Sequence, residues 1–126
     1  MTLVLDAGAL IAVERLDRDV IALIKRERIA GRAPVTHGGV VGQVWRGGRG
    51  RQANLARLLP AVEVVSLDDA LGRRAGALLG QTKTTDVIDA AVALLARDGD
   101  VILTGDGEDL GLLVEATGSH VDIVEV

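Results

Sequence analysis

Five aspartates are spaced as a ligand set would be. Asp6 follows the apolar run Leu3-Val4-Leu5, and Asp106 follows a second run, Val101-Ile102-Leu103, inside Thr104-Gly105-Asp106-Gly107-Glu108-Asp109. Asp86 and Asp89 open a third apolar stretch and, three apart, share one helix face. In open α/β sheets, binding sites form just beyond the carboxyl ends of the strands. If the strands before Asp6 and Asp106 are neighbours, their acids face one crevice. Several carboxylates in a small volume repel one another unless a cation neutralises them. Hard oxygen donors without cysteine suit Mg²⁺ or Mn²⁺, and neither His37 nor His120 has zinc-ligand spacing to an acid. A divalent ion in such a place generates a hydroxide nucleophile and stabilises a phosphodiester transition state. Gly105 and Gly107 are expected to let backbone approach the metal or a phosphate closely. Each acid also has an ordinary use. Asp86 complements a helix dipole, and one of Asp106, Glu108 and Asp109 is expected to cap the helix that follows Gly107.

The elements that must position these acids alternate. Strands are expected at residues 2–5, 33–36, 62–65, 101–103 and 120–124. Helices are expected at 7–15, 17–30 (ended by Gly31), 52–59 (stopped by Pro60), 67–80 and 108–115, with a further helix capped by Thr84 or Thr85 and running to Arg97. The stretch from Gly38 to Trp45 fits a helix or a strand, and the spacing of Val40, Val41, Val44 and Trp45 prefers the helix. Strands alternating with helices imply a parallel sheet covered on both faces. No linker, repeat or low-complexity segment divides residues 1–126, so one domain is expected.

Composition narrows the chemistry. Trp45 is the only aromatic residue, so the core is aliphatic and modules that stack bases on aromatic rings are disfavoured. There are no cysteines, which removes disulfides and thiolate metal sites. Asp6 cuts the first apolar run at once, so the amino-terminal residues do not read as a signal peptide. The longest apolar run, Ala90 to Ala96, is too short to cross a bilayer. A soluble, cytoplasmic protein without membrane partners is expected. The net charge of −4 does not advertise a nucleic-acid binder, but the charge is uneven: from Arg46 to Ala61 there are four arginines (46, 49, 51 and 57) and no acid.

In its motifs the chain resembles the PIN-domain ribonucleases, and within them the small toxins of VapBC-type toxin–antitoxin pairs. The matching segments are Leu3-Val4-Leu5-Asp6-Ala7-Gly8-Ala9-Leu10, Thr85-Asp86-Val87-Ile88-Asp89-Ala90-Ala91-Val92-Ala93, and Ile102-Leu103-Thr104-Gly105-Asp106-Gly107-Glu108-Asp109-Leu110. Their order and spacing run the length of the chain. The resemblance implies an α/β/α sandwich, three layers on a parallel sheet of about five strands, and Mg²⁺- or Mn²⁺-dependent cleavage of RNA. By position, Asp6, Asp86 and Asp106 match the family's acids, Asp109 stands as a nearby auxiliary, and Asp89 is an extra ligand one helical turn on. Where the family carries a Glu, this chain has Gln43, which coordinates or orients water through its amide oxygen but brings no charge. Ala7 and Gly8 stand where many members have Ser or Thr. The resemblance further implies an inhibitory antitoxin that covers the site, and a homodimer, which the mean hydropathy of +0.33 suits.

On this reading Asp6, Asp86 and Asp106 hold the metal, Gln43 and Asp89 orient water, and the arginine segment meets RNA phosphates or an acidic partner. Two rivals stand beside it. A phosphatase or phosphotransfer domain also places Asp at strand ends, but it wants a lysine after a later strand. Lys25 and Lys83, the only lysines, do not follow strands. An inert PIN-like binding module is the other rival, and Gln43 is the feature that favours it.

Overall fold

The computed structural model describes residues Met1–Val126. Five short strands, β1 (Leu3–Leu5), β2 (Val35–His37), β3 (Glu63–Val65), β4 (Val101–Thr104) and β5 (Asp122–Glu125), form one sheet in the order β3-β2-β1-β4-β5. Every pairing is parallel: Val4 faces Val35 on one side and Ile102 on the other. The helices are α1 (Ala7–Glu14), α2 (Arg18–Ile29), α3 (Gly38–Val44), α4 (Ala53–Leu58), α5 (Asp69–Thr82), α6 (Val87–Leu95) and α7 (Gly107–Thr117). Helices α2, α3 and α4 pack on α1, while α5, α6 and α7 pack on one another. A parallel sheet with two such helix groups is an α/β/α sandwich.

The strand order explains where a site can form. From β1 the chain moves to β2 on one side, and from β4 it moves to β5 on the other. The two central strands therefore diverge at their carboxyl ends and leave a crevice there. The strands that precede Asp6 and Asp106 are the neighbours that line it.

The core is aliphatic. Leu3, Val4 and Leu5 of β1 and Ile102 and Leu103 of β4 are almost fully enclosed, as continuous apolar strands of a two-sided sheet must be. The edge strands β3 and β5 are more exposed. No helix is long and apolar enough to cross a membrane.

Aspartates start the helices. Asp6, Asp17, Asp68, Asp86 and Asp106 each cap one, their carboxylates accepting backbone N–H groups of the first turn. Several expected boundaries move. The sixth helix is capped by Asp86, not Thr84 or Thr85; Thr84 bonds instead to the Thr82 hydroxyl at 2.8 Å. That helix ends at Leu95 rather than Arg97, because Ala96 turns extended and the Asp100 carboxylate accepts the Arg97 N–H at 2.9 Å. The fourth helix ends at Leu58, one residue before the expected Leu59 and just ahead of Pro60. Pro60 sits inside a 3₁₀ turn, Leu59–Ala61, that follows α4. The Gly38–Val44 stretch is helical, and the second strand runs to His37, whose imidazole caps it.

Candidate metal centre

The site grows from the ends of β1 and β4. Asp6 is the first residue after β1 and only 5 % exposed. One carboxylate oxygen accepts the Ala9 N–H at 3.1 Å and so caps α1. The other accepts the hydroxyl of Thr104, the last residue of β4. The same Thr104 oxygen accepts the Asp106 N–H at 2.8 Å. One buried hydroxyl thus joins the acid at the end of β1 to the backbone that carries the acid after β4. A nearly enclosed carboxylate has to be hydrogen-bonded in this way.

Two helix starts supply the rest. Asp86 caps α6 by accepting the Asp89 N–H at 3.0 Å, and Asp106 caps α7 by accepting the Asp109 N–H at 3.3 Å. Asp89 and Asp109 therefore stand one turn into two helices that pack together. Asp89, Asp106 and Asp109 bring one carboxylate oxygen each within 4.8 Å of one another, a group that could hold a metal ion. The trio expected to hold it was Asp6, Asp86 and Asp106. Of these, only Asp106 joins the converging group. Asp6 and Asp86 give oxygens to backbone and hydroxyl donors, and the two residues expected as auxiliaries complete the set.

All five acids nevertheless form one electrostatic group. Asp89 has its carboxyl pushed up to about 6, first by burial and then by the charges of Asp86, Asp6, Asp106 and Asp109. Asp109 is also raised, first by its hydrogen bond to Asp106 and then by that residue's charge. These shifts carry a stability prediction. Asp89 titrates at about 6 in the fold against 3.8 for the ordinary group, so its ionised form opposes folding above pH about 6. The opposition fades as pH falls from about 6 towards 4. That difference between folded and ordinary acidity corresponds to about 3 kcal/mol. Asp89 is partly exposed, and solvent screening reduces this to about 1 kcal/mol. Asp89→Asn should then raise the melting temperature by about 4 °C at pH 7 in chelator. Thermal unfolding across pH checks this: the gain should be gone near pH 4, and a gain that persists there would point to another cause.

The glycines have a use in packing. A Cβ on Gly8 would sit 2.5 Å from the backbone nitrogen of Gly105 and 2.7 Å from its Cα. The start of α1 and the turn after β4 touch backbone to backbone. Gly107 abuts the side chain of Glu125. The missing Cβ at residues 8 and 105 thus lets the start of α1, after Asp6, pack against the turn that precedes Asp106. Gly8→Ala should destabilise the protein by about 2 kcal/mol, read in urea unfolding. An unchanged midpoint would show that this contact relaxes freely.

His37 was not anticipated as part of the assembly. It is fully enclosed, and its Nδ1 accepts the Gly39 N–H at 3.1 Å. Its Nε2 lies 2.9 Å from the Ile88 carbonyl oxygen, which can only accept, so the proton sits on Nε2. Burial holds the imidazole below its ordinary pKa, opposed by the bond to Ile88, and so keeps it neutral. His37 thereby ties the end of β2 to the turn of α6 that carries Asp89. Its signal in the sequence was its place at a strand end, which metal-ligand spacing does not test.

Gln43 is exposed in the last turn of α3 and lines a cleft with Arg15, Arg46, Arg49 and Arg51. Asp86 and Asp109 border a smaller cleft of about 300 Å³ with Lys83, Thr84 and Thr85. A larger cleft, about 730 Å³, lies at the opposite, amino-terminal end of the strands beside Thr2, Glu63 and Asp100. Comparison with protein-family models finds no match, and neither does comparison with curated proteins.

Proposed function

We propose that the chain is a metal-dependent endoribonuclease, the toxin of a VapBC-type toxin–antitoxin pair in the cytoplasm, with Mg²⁺ or Mn²⁺ as its cation. The observation that carries this reading is the convergence of Asp89, Asp106 and Asp109 at the switch point of a parallel sheet. The donor set fits the ion: three carboxylates and no softer ligand, with two further acids adding negative charge. A bound divalent ion supplies positive charge to phosphodiester oxygens and lowers the pKa of a coordinated water. Asp89, Asp106 and Asp109 would hold it. Asp6 and Asp86 add charge beside it and orient water, Thr104 fixes Asp6, and His37 fixes the turn that carries Asp89. Gln43 contributes an uncharged amide at the substrate side.

An inhibitory antitoxin and a homodimer belong to the same reading, and an apolar groove supports them. It lies between α1, α2 and α4, holds about 360 Å³, is floored by Val13, Ile24 and Leu58, and is rimmed by Lys25, Arg28 and Arg57. That chemistry suits an amphipathic segment with acidic flanks.

Incubating the purified protein with mixed RNA tests the activity. Cleavage should appear with Mg²⁺ or Mn²⁺ and stop with chelator. Calorimetric titration should show Mn²⁺ binding that weakens as pH falls through about 6, where Asp89 takes up its proton. No binding and no cleavage would leave the inert module as the better reading.

A further inference from the structure

Arg15, Arg46, Arg49 and Arg51 line one cleft of about 660 Å³ between α1 and the loop that follows α3. Gln52, itself 6 % exposed, builds that loop. Its amide oxygen accepts the N–H groups of Arg46 at 2.9 Å and Gly48 at 3.1 Å. Its nitrogen donates to the Val44 carbonyl and to the Glu14 carboxylate, each at 2.8 Å. A buried amide with all these partners holds the arginine loop against α1. The Arg46 guanidinium is braced on the carbonyls of Gly42 at 3.2 Å and Trp45 at 2.7 Å.

Within the chain these four positive charges are offset only by the one carboxylate of Glu14. The salt bridges belong to Met1, Arg32 and Arg73, and none of the four cleft arginines forms one. Glu14 is the only acid in the cleft, and it is held by Gln52. Like charges gathered on a fixed loop call for an anion, and guanidinium forks match phosphate oxygens. The cleft's apolar lining is only Ile11 and Val44, too little for the apolar centre of a protein interface. Position adds the last argument. Helix α1 runs from Asp6 at its start to Arg15 at its end, roughly 13 Å at 1.5 Å per residue. A polyphosphate chain in the cleft would lead along α1 towards the acids.

We propose that the cleft between α1 and the loop of Arg46, Arg49 and Arg51 binds the phosphate backbone of single-stranded RNA. The choice of RNA rests on the hydrolytic reading above, whereas the anion chemistry of the cleft does not. Fluorescence anisotropy of a labelled oligouridylate, in chelator so that nothing is cut, reads the binding directly. The triple variant Arg15→Gln/Arg49→Gln/Arg51→Gln changes only side chains at the surface of the cleft. It should bind at least about tenfold more weakly, and the slope of log K against log salt should shrink by about 2, at about 0.7 for each phosphate no longer neutralised. Arg49→Glu alone should weaken binding in the same direction, which keeps the test open if the triple variant unfolds. Binding that is insensitive to salt, or unchanged in both variants, would overturn the proposal. So would poly-glutamate that displaces the RNA at equal charge concentration, since the cleft would then be a site for acidic protein. The two readings fail separately. RNA bound through the arginines but never cut would sink the nuclease and leave the cleft. RNA cut normally by the triple variant, with unchanged affinity, would sink the cleft alone.

Discussion

Asp106→Asn should abolish metal-dependent cleavage of RNA, by at least about 100-fold, in a protein that stays folded. Substituting groups that merely orient metal ligands costs about 10- to 100-fold. Asp106 belongs to the converging trio itself, so its loss should exceed that range. The amide would keep one oxygen donor but bring no charge, and its NH₂ presents positive polarity to the cation. The fold should tolerate the change because Asn caps a helix as well as Asp does. The bond from the Asp109 N–H to residue 106, 3.3 Å in the parent, can persist. Asp109 should also return towards ordinary acidity, since Asp106 is the first cause of its raised pKa. Initial cleavage rates and calorimetric Mn²⁺ titration on the same sample check the prediction, with thermal unfolding as the control for folding. A folded Asp106→Asn protein that cuts RNA at the parent rate would remove Asp106 from the site and the nuclease reading with it.

The parts of this arrangement that were legible in the sequence are those fixed by local pattern. Aliphatic triplets such as Leu3-Val4-Leu5 and Val101-Ile102-Leu103 read as buried parallel strands, and they are. Acids placed directly after them identified the crevice, because a strand's carboxyl end is where such sheets open. The choice among the acids was not legible. Asp6, Asp86 and Asp106 each give one carboxylate oxygen to their own helix start, and of the three only Asp106 also brings an oxygen into the group with Asp89 and Asp109. Asp89 and Asp109, one turn later, are left facing one another because α6 and α7 pack side by side, a contact between residues far apart in sequence. His37 and Thr104 were invisible for the same reason. Their partners, Ile88 and Asp6, lie 51 and 98 positions away. The arginine cleft was half legible. Its charge bias stood out along residues 46–61, but Arg15 and the Glu14 that anchors Gln52 come from the end of α1, which folding brings alongside.

Thr104→Val should be the most damaging small substitution near the site. Valine matches threonine in shape, so packing is kept and only the hydroxyl is lost. That hydroxyl is fully enclosed, donates to the Asp6 carboxylate and accepts the Asp106 N–H. Without it, a nearly buried carboxylate oxygen loses its donor and a backbone N–H loses its acceptor. Leaving one buried group unsatisfied costs about 1–3 kcal/mol, and more when the group is charged. A loss of about 3 kcal/mol is expected, or about 10 °C in melting temperature for a chain of this size. The pairing itself is tested by a double-mutant cycle with Asp6→Asn. Once residue 6 is neutral, the hydroxyl's absence matters less, so the double variant should be at least about 1 kcal/mol more stable than the two separate losses summed. Strict additivity would mean that Thr104 and Asp6 are not coupled. The ends of β1 and β4 would then be held together by the Gly8–Gly105 contact and the sheet ladder alone. If the coupling is present, the Thr104→Val protein should also bind Mn²⁺ more weakly, because the hydroxyl that steadies Asp6 also holds the backbone of Asp106 in place.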